Sequence, residues 1–386
     1  MLKITCEGVY YKNGGFVPAK DGPAAGLPAP EKAREGTMAH AILKAHNTGD
    51  NMEELAIRFD AMASHDITYV GIIQTARASG MQAFPLPYVL TNCHNSLCAV
   101  GGTINEDDHV FGLSAAKKYG GEFVPAHQSV IHSYMRERSA APGRMILGSD
   151  SHTRYGAYGT MAIGEGGPEL ARQLLSKTYN IPYPKVIAIY LTGTPIPGVG
   201  PQDVALELIR STFKDGVVKN AVMEFFGPGV ANLSMDYRSG IDVMTTETTC
   251  LSSIWPADHT LKAHLAVLGR GEAFKPQAPA DGAYYDGLIE VELDKIRPMI
   301  ALPFHPSNAY TIQEFQENLD ELLHQVDEDT VRQLKLKNRP ASLREKIVDG
   351  KFRVDQGVIA GCSGGTYQNI VRAAQILDGR AIGSGE

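Results

Sequence analysis

The stretch MILGSDSHTRYGAYGTMAIGEGG, residues 145–167, decides how the rest of the chain is read. Met145, Ile146 and Leu147 form a short apolar strand that leads into Gly148. Ser149, Asp150, Ser151, His152 and Thr153 then set polar side chains in successive positions. Such a knot is costly to bury unless its groups find partners. Gly156, Gly159, Gly164, Gly166 and Gly167 follow, residues that let the backbone take positive φ and approach a ligand or another backbone closely. Chemically, Asp150 can orient and charge-stabilise His152, Ser151 offers a hydroxyl, and the glycine-rich turn can present free N–H groups to an anion. The plain alternative is a hydrogen-bonded strand-to-helix turn without chemistry, and for an isolated D-S-H both stay open.

As a longer string, G-[ST]-D-S-H-T followed by A-I-G-x-G-G is similar to a signature of the aconitase superfamily, and the resemblance extends over the whole chain. It implies an α/β fold of aconitase-like three-layer α/β/α domains with mixed sheets. The expected units are residues 1–184, residues 185–305 and residues 306–386, the last being the beginning of a third domain.

Composition agrees with a folded enzyme and excludes several other classes. A chain of 386 residues with 43% hydrophobic and 20% charged residues can bury a large core in two or three domains. A net charge of -7 and a pI near 6.0 argue against nucleic acid as the main partner. No apolar leader opens the sequence and no run has the length of a membrane span, so no membrane partner is expected and the protein is expected to be cytoplasmic. Cys6, Cys93, Cys98, Cys250 and Cys362 are odd in number and include no C-x-x-C pair, which fits reduced thiols.

Along the chain, residues 14–37 read as a Gly/Pro/Ala loop, residues 38–47 as a helix, and a second helix is expected to start near Asn51 with Leu55, Phe59 and Met62 on one face. The β-branched run at residues 67–73 is expected to be a buried strand ending in Gln74. A second strand leads to Asn92, Cys93, His94 and Asn95. Because strand ends gather ligand sites in open α/β sheets, Gln74, Asn92, Cys93, His94 and Asn95 are expected on one crevice. A plain alternative for His94 is a satisfied, half-buried histidine, and for Cys93 and Cys98 packing is favoured. His127 and His132 flank the next strand, and the resemblance places His132, not His127, on the family's catalytic histidine. Pro168 opens a helix, and a strand with a helix capped by Gln202 and Asp203 begins a second α/β unit. Residues 315–338 read as a charged, solvated amphipathic helix. Near the end, residues 357–360 are expected to be a strand delivering Cys362 into a turn before a helix, where backbone N–H groups would lower the thiol's pKa.

Further roles come from the resemblance. Glu247 takes the position of the family's cluster-site glutamate, and Cys362 that of the first ligand of a 4Fe-4S cluster. By residue chemistry alone, Glu247 suits a helix N-terminus equally well, and Cys362 a buried inert thiol. The implied reaction is dehydration and rehydration of a small hydroxy-carboxylic acid. In it His132 with Asp150, and His152, handle the proton of the leaving hydroxide, Gln74 and Ser151 bind substrate carboxylates, and Glu247 positions iron-bound water.

The chain departs from the pattern in several places. I-H-C-D-H becomes Thr91-Asn92-Cys93-His94-Asn95, an expected Asn is Val243, and S-C-T-N becomes Gly361-Cys362-Ser363-Gly364. These changes put citrate in doubt and resemble the uncharacterised hydratase branch. The family's C-G-P-C pair, its substrate arginines and the serine that deprotonates substrate are not found here. The expectation is therefore an N-terminal part of a longer hydratase, or one chain of a split one, inactive alone. Its cluster would be absent or unstable, and its partner would be the C-terminal remainder or a second chain. The rival reading is a non-catalytic binding or regulatory protein; RNA binding draws little support from the acidic balance.

Overall fold

The computed structural model describes residues 2–94, 102–337 and 340–380. Strands Ala61–His65, Tyr88–Thr91, Glu122–Val124, Met145–Gly148 and Met161–Gly164 form an all-parallel sheet. Numbered in chain order, they lie as third, second, first, fourth and fifth. Strands one and four are therefore neighbours from which the chain departs to opposite sides, a switch point of the kind that opens a crevice outside the carboxyl ends. Met145–Gly148 is buried throughout, with Met145 and Leu147 in one apolar cluster and Ile146 in the other. That two-sided burial explains why the strand reads as a continuous apolar run and not as an alternation. Helices Asp66–Ala78, Thr103–Tyr119 and Gly167–Leu174 pack together beside this sheet.

The second sheet is mixed. Val186–Thr192, Val222–Phe226, Ser252–Ile254 and Gly287–Glu292 run parallel, and Leu2–Thr5 adds an antiparallel edge, with Leu2 opposite Val291. The first strand of the chain thus belongs to the second sheet. A smaller apolar cluster of Leu302, Phe315, Leu319, Leu323 and Val326 organises the region after the second sheet. Both layered sheets fit the expected α/β architecture. No helix among the described residues is long and apolar enough to cross a membrane.

Buried polar groups tie the two sheets together. Gly156 of the glycine-rich turn lies so close to the second sheet that a Cβ there would meet Ser253 O at 2.4 Å and Asp242 Oδ1 at 2.7 Å. Asp242 is fully buried and accepts hydrogen bonds from Ser253 Oγ (2.6 Å), Trp255 Nε1 (3.0 Å) and the Ala157 N–H (3.2 Å). Glu224, on Val222–Phe226, accepts from the N–H groups of Met38 and Ala39, at 3.1 and 2.9 Å, and from the Tyr285 hydroxyl at 2.7 Å. A carboxylate of one sheet therefore satisfies donors at the N-terminus of helix Met38–His46.

Three expected elements differ. Residues 67–73 are not a strand but part of helix Asp66–Ala78, whose buried residues Tyr69, Ile72, Ile73 and Ala76 keep the spacing of one helical face. The strand is Ala61–His65, preceded by the strand Glu54–Ile57, and no helix starts near Asn51. There the buried Leu55 and Ile57 alternate with period two. Residues 357–360 are exposed and pair with no strand among the described residues.

Candidate active site

Asp150 follows the strand Met145–Gly148 directly, at the switch point, and four imidazoles surround its carboxylate. His132 Nε2 lies 3.0 Å from Oδ1, His152 donates its backbone N–H to Oδ1 at 2.7 Å, and His94 Nε2 lies 3.3 Å from Oδ2. The His152 ring nitrogen Nδ1 and His65 Nε2 stand at 3.7 Å. His65 ends the neighbouring strand Ala61–His65 and His94 comes shortly after Tyr88–Thr91, so the strand order itself assembles the group. On its far side His152 Nε2 meets Glu247 Oε1 at 3.2 Å, and His305 Nε2 approaches Glu247 Oε2 at 3.7 Å.

Glycine spacing fits this crowding. A Cβ on Gly164 would meet Asp150 O at 2.4 Å and Ser151 Cα at 3.1 Å, so the next strand can pass beneath the turn only without a side chain. The turn is also pinned from the second sheet, where Thr246 donates its hydroxyl to Ser151 O at 2.7 Å.

The environments split the histidines into two kinds. Burial pushes His132 and His65 down to about 4. Hydrogen bonding to Asp150 pushes His94 up to about 10, and bonds to Asp150 and then Glu247 push His152 up to about 9. Burial works against the charge on Asp150, but the bonds from His132, His152 and His94 outweigh it and hold the carboxyl well below its usual range. Glu247 is lowered first by its bond to His152. Neutral His132 has one consistent tautomer: Nε2–H donates to Asp150 and Nδ1 accepts from the Tyr155 hydroxyl at 3.2 Å. Neutral and charged imidazoles side by side give the site both an acceptor state and a donor state at the same pH.

The structure brings His132, Asp150, His152, Glu247 and His94 together, with Ser151 exposed on the same turn. Gln74 is not among them. It is exposed on the solvent face of helix Asp66–Ala78, because the strand expected to deliver it is that helix. Asn95 and Cys98 lie outside the described residues. His127 is exposed in a turn with a φ of 66°. Sequence reasoning missed His65 and its neighbour Asp66, which receives the His94 backbone N–H at 3.1 Å and His109 Nε2 at 3.2 Å. The polar pair His65-Asp66 directly before the apolar run at 67–73 is the signal that could have found them, since it marks a strand end and a helix start.

Cys362 sits in a single helical turn, Gly361–Gly364, partly buried. Its thiol is not lowered as expected: burial pushes it up, and the Arg136 charge offsets this only in part. Arg136, 4% exposed, donates Nη1 to Cys362 O at 3.3 Å and leaves Nε and Nη2 without partners among the described residues.

Fold and crevice together define an α/β protein with a cluster of imidazoles and carboxylates at a topological switch point. The chain belongs to the aconitase family: the model of the aconitase family (aconitate hydratase) matches residues 40–386. It is 30% identical over 349 residues to the mitochondrial aconitate hydratase of Schizosaccharomyces pombe, a match covering 86% of this chain and 40% of that one. Identity is 28% to the probable mitochondrial aconitate hydratase of Dictyostelium discoideum and 27% to the mitochondrial aconitate hydratase of Saccharomyces cerevisiae. Those matches cover 88% and 89% of this chain and 44% of each relative. The chain thus spans less than half the length of these curated relatives. They also correct the expectation of a cytoplasmic protein, since all three are mitochondrial enzymes. Reduced thiols do not separate one reducing compartment from another.

The family implies a 4Fe-4S cluster in its full-length proteins, and the described residues fit it only in part. Arg136's orphaned donors beside Cys362 suit an anionic, sulfur-rich neighbour. The other described thiols do not supply the remaining ligands. Cys93 is engaged by His94 Nδ1 at 3.3 Å, Cys250 is buried against Thr245 O at 3.3 Å, and Cys6 is exposed.

Proposed function

We propose that this chain is the acid–base part of an aconitase-like hydro-lyase that removes and adds water on a small hydroxy-carboxylic acid. The observation that supports the reading is the Asp150 carboxylate, shared by His132, His94 and His152, with His152 bridged to Glu247. In this reading charged His152 carries on Nε2 the proton that goes to the departing hydroxide, and Glu247 orients that nitrogen and the water that results. Neutral His132 fixes Asp150 through Nε2–H, so the carboxylate keeps its negative charge opposite His152 while the proton moves. The Ser151 hydroxyl and the open side of His94 line the space for substrate carboxylate; Asn95 belongs to the same proposal by sequence position. Gln74 has no part in it.

Cys362 is proposed as the one cluster ligand from this chain, with the remaining ligands and the base for the carbon-bound proton assigned to the rest of the protein or a second chain. The bound cluster would supply Lewis-acid chemistry to the hydroxyl. We keep the division near residues 184 and 305 as the domain plan, with Leu2–Thr5 crossing into the second unit.

The test is a complete protein with its iron and sulfide verified, offered a panel of hydroxy-acids while formation of the conjugated unsaturated acid is followed. Turnover of any of them that is lost in His152→Ala supports the reading. A fully loaded protein inert on the whole panel would overturn it in favour of a non-catalytic role.

A further inference from the structure

His65 is 5% exposed, yet its Nδ1 has no hydrogen-bond partner among the described residues, and its Nε2 stands 3.7 Å from Asp150 Oδ2, beyond hydrogen-bond reach. Nδ1 is unchanged by anything that binds at Nε2; it is Nε2, short of hydrogen-bond contact with Asp150, that is left available to a ligand. The His65 ring packs on that of His94 with centroids 3.8 Å apart, and both rings turn an Nε2 toward the same carboxylate oxygen. The ligand atoms of His65, His94 and Asp150 all lie within 4.8 Å of one another.

We infer that His65 Nε2, His94 Nε2 and Asp150 Oδ2 form a binding site for one divalent transition cation, zinc or ferrous iron, that uses no thiolate. Two imidazoles and a carboxylate are the donor set that such borderline cations prefer, and the cation takes the place of the proton that His94 Nε2 otherwise holds against Asp150 Oδ2, releasing it to solvent. Geometry agrees. Ligands about 2.05 Å from a tetrahedral cation are about 3.3 Å apart, which is the present separation of His94 Nε2 and Asp150 Oδ2, 3.3 Å. The His65 separation of 3.7 Å needs to close by only a few tenths of an ångström.

Outer contacts already aim the ligands. Asp150 Oδ1 is held by His132 Nε2 and the His152 N–H, which leaves Oδ2 to face the pair. Asp66 holds the His94 backbone N–H. With its side chain 34% exposed, His94 leaves the site open on one side, so the cation keeps positions for water or a substrate oxygen. The neighbouring trio Asp66, Cys93 and His94 is the competing arrangement. There Asp66 is already engaged by His94 N–H and by His109 Nε2 at 3.2 Å, which makes it a support and not a ligand. The inference goes beyond the hydratase reading and does not rest on it.

The test uses this chain stripped with a chelator, with Co²⁺ as the spectroscopic probe and Zn²⁺ in calorimetry and thermal melts, all without substrate. About one equivalent should bind, with weak visible Co²⁺ bands, no sulfur charge-transfer band, and a melting temperature raised by Zn²⁺. His65→Phe keeps the ring's volume and should melt as wild type without metal while losing at least about tenfold in affinity. If that variant does not fold, His94→Gln, which gives up the contact with Asp150 and should melt lower without metal, should likewise lose at least about tenfold in affinity while folded. Cys93→Ser and Cys362→Ser should bind as wild type. Absence of saturable binding in the wild type, undiminished affinity in a folded His65→Phe or His94→Gln, or a sulfur band that disappears in Cys93→Ser would each overturn the assignment.

Discussion

Asp150 Oδ1 receives His132 Nε2 at 3.0 Å, and the same imidazole takes the Tyr155 hydroxyl on Nδ1 at 3.2 Å. The ring is thus saturated at both ends, which makes His132 a positioning residue for the carboxylate. His152, by contrast, has a third of its side chain exposed and points a charged nitrogen into the crevice.

In a complete, cluster-loaded protein, His152→Ala should lower turnover by about 10²-fold or more, the usual loss for a positioned acid or base. His127→Ala should change it little, since His127 is exposed in a turn away from the Asp150 contacts. A larger loss in His127→Ala would show that the roles are misassigned.

Metal-free protein should be most stable at about pH 6.5. His132 and His65 are pushed down to about 4, so between that value and the free imidazole range the unfolded chain binds more protons, and stability falls on acidification. Glu224, pushed up to about 7 by burial, acts in the opposite sense over the same window. Burial also lowers His40 and His264, which adds to the falling acid limb against Glu224, while Asp203 and Asp242, raised by burial, oppose it. His94 and His152, pushed up to about 10 and 9, add stability below the free imidazole range that is lost as pH rises through those values. Melting temperature across pH tests this, and His132→Gln should flatten the acid limb while His94→Gln flattens the alkaline one.

Gly156→Ala should cost about 1–3 kcal/mol, the range for overpacking a close-packed site, because the added methyl meets the Ser253 carbonyl and the Asp242 carboxylate. Urea unfolding would measure it. Gly80→Ala is no control for this, since Gly80 has φ 101° and carries a backbone penalty of its own. Gly71→Ala is suitable, with open space around its Cβ, and should be neutral or stabilising.

Anaerobic reconstitution of this chain with iron and sulfide should not yield a stoichiometric 4Fe-4S cluster. Acid-labile sulfide is the decisive measurement, because iron alone would also report the His65–His94–Asp150 site. Four sulfides per chain with the matching absorption would refute the expectation.

Much of the site was legible because it follows one strand. Ser149 to His152 leave Met145–Gly148 in sequence, so residues that act together are adjacent and the glycines that admit them come next. His132 and Glu247 were reached only through the family resemblance, since nothing in their own neighbourhoods separates them from an ordinary helical histidine or a capping glutamate. Residues 67–73 misled for a physical reason. Seven contiguous apolar or β-branched positions fit a buried strand by content, and only the spacing of Tyr69, Ile72, Ile73 and Ala76 reveals the helix. Gln74 then followed the wrong element to the wrong face, while His65, the true strand end, went unnoticed.

The N-terminal edge strand has a consequence for how the protein is made. Leu2 cannot pair until Val291 has been synthesised. At about 5–20 residues per second that is a wait of roughly 15–60 s. The sheet carrying Asp150 needs nothing beyond residue 164 and can close its pairings meanwhile. The second sheet must keep an edge open until its parallel strand Gly287–Glu292 arrives, and only then is Lys3 fastened to Glu290 at 2.7 Å. On the ribosome, the Asp150 turn is therefore built first, and the wall behind it is completed only when Leu2–Thr5 finds Gly287–Glu292.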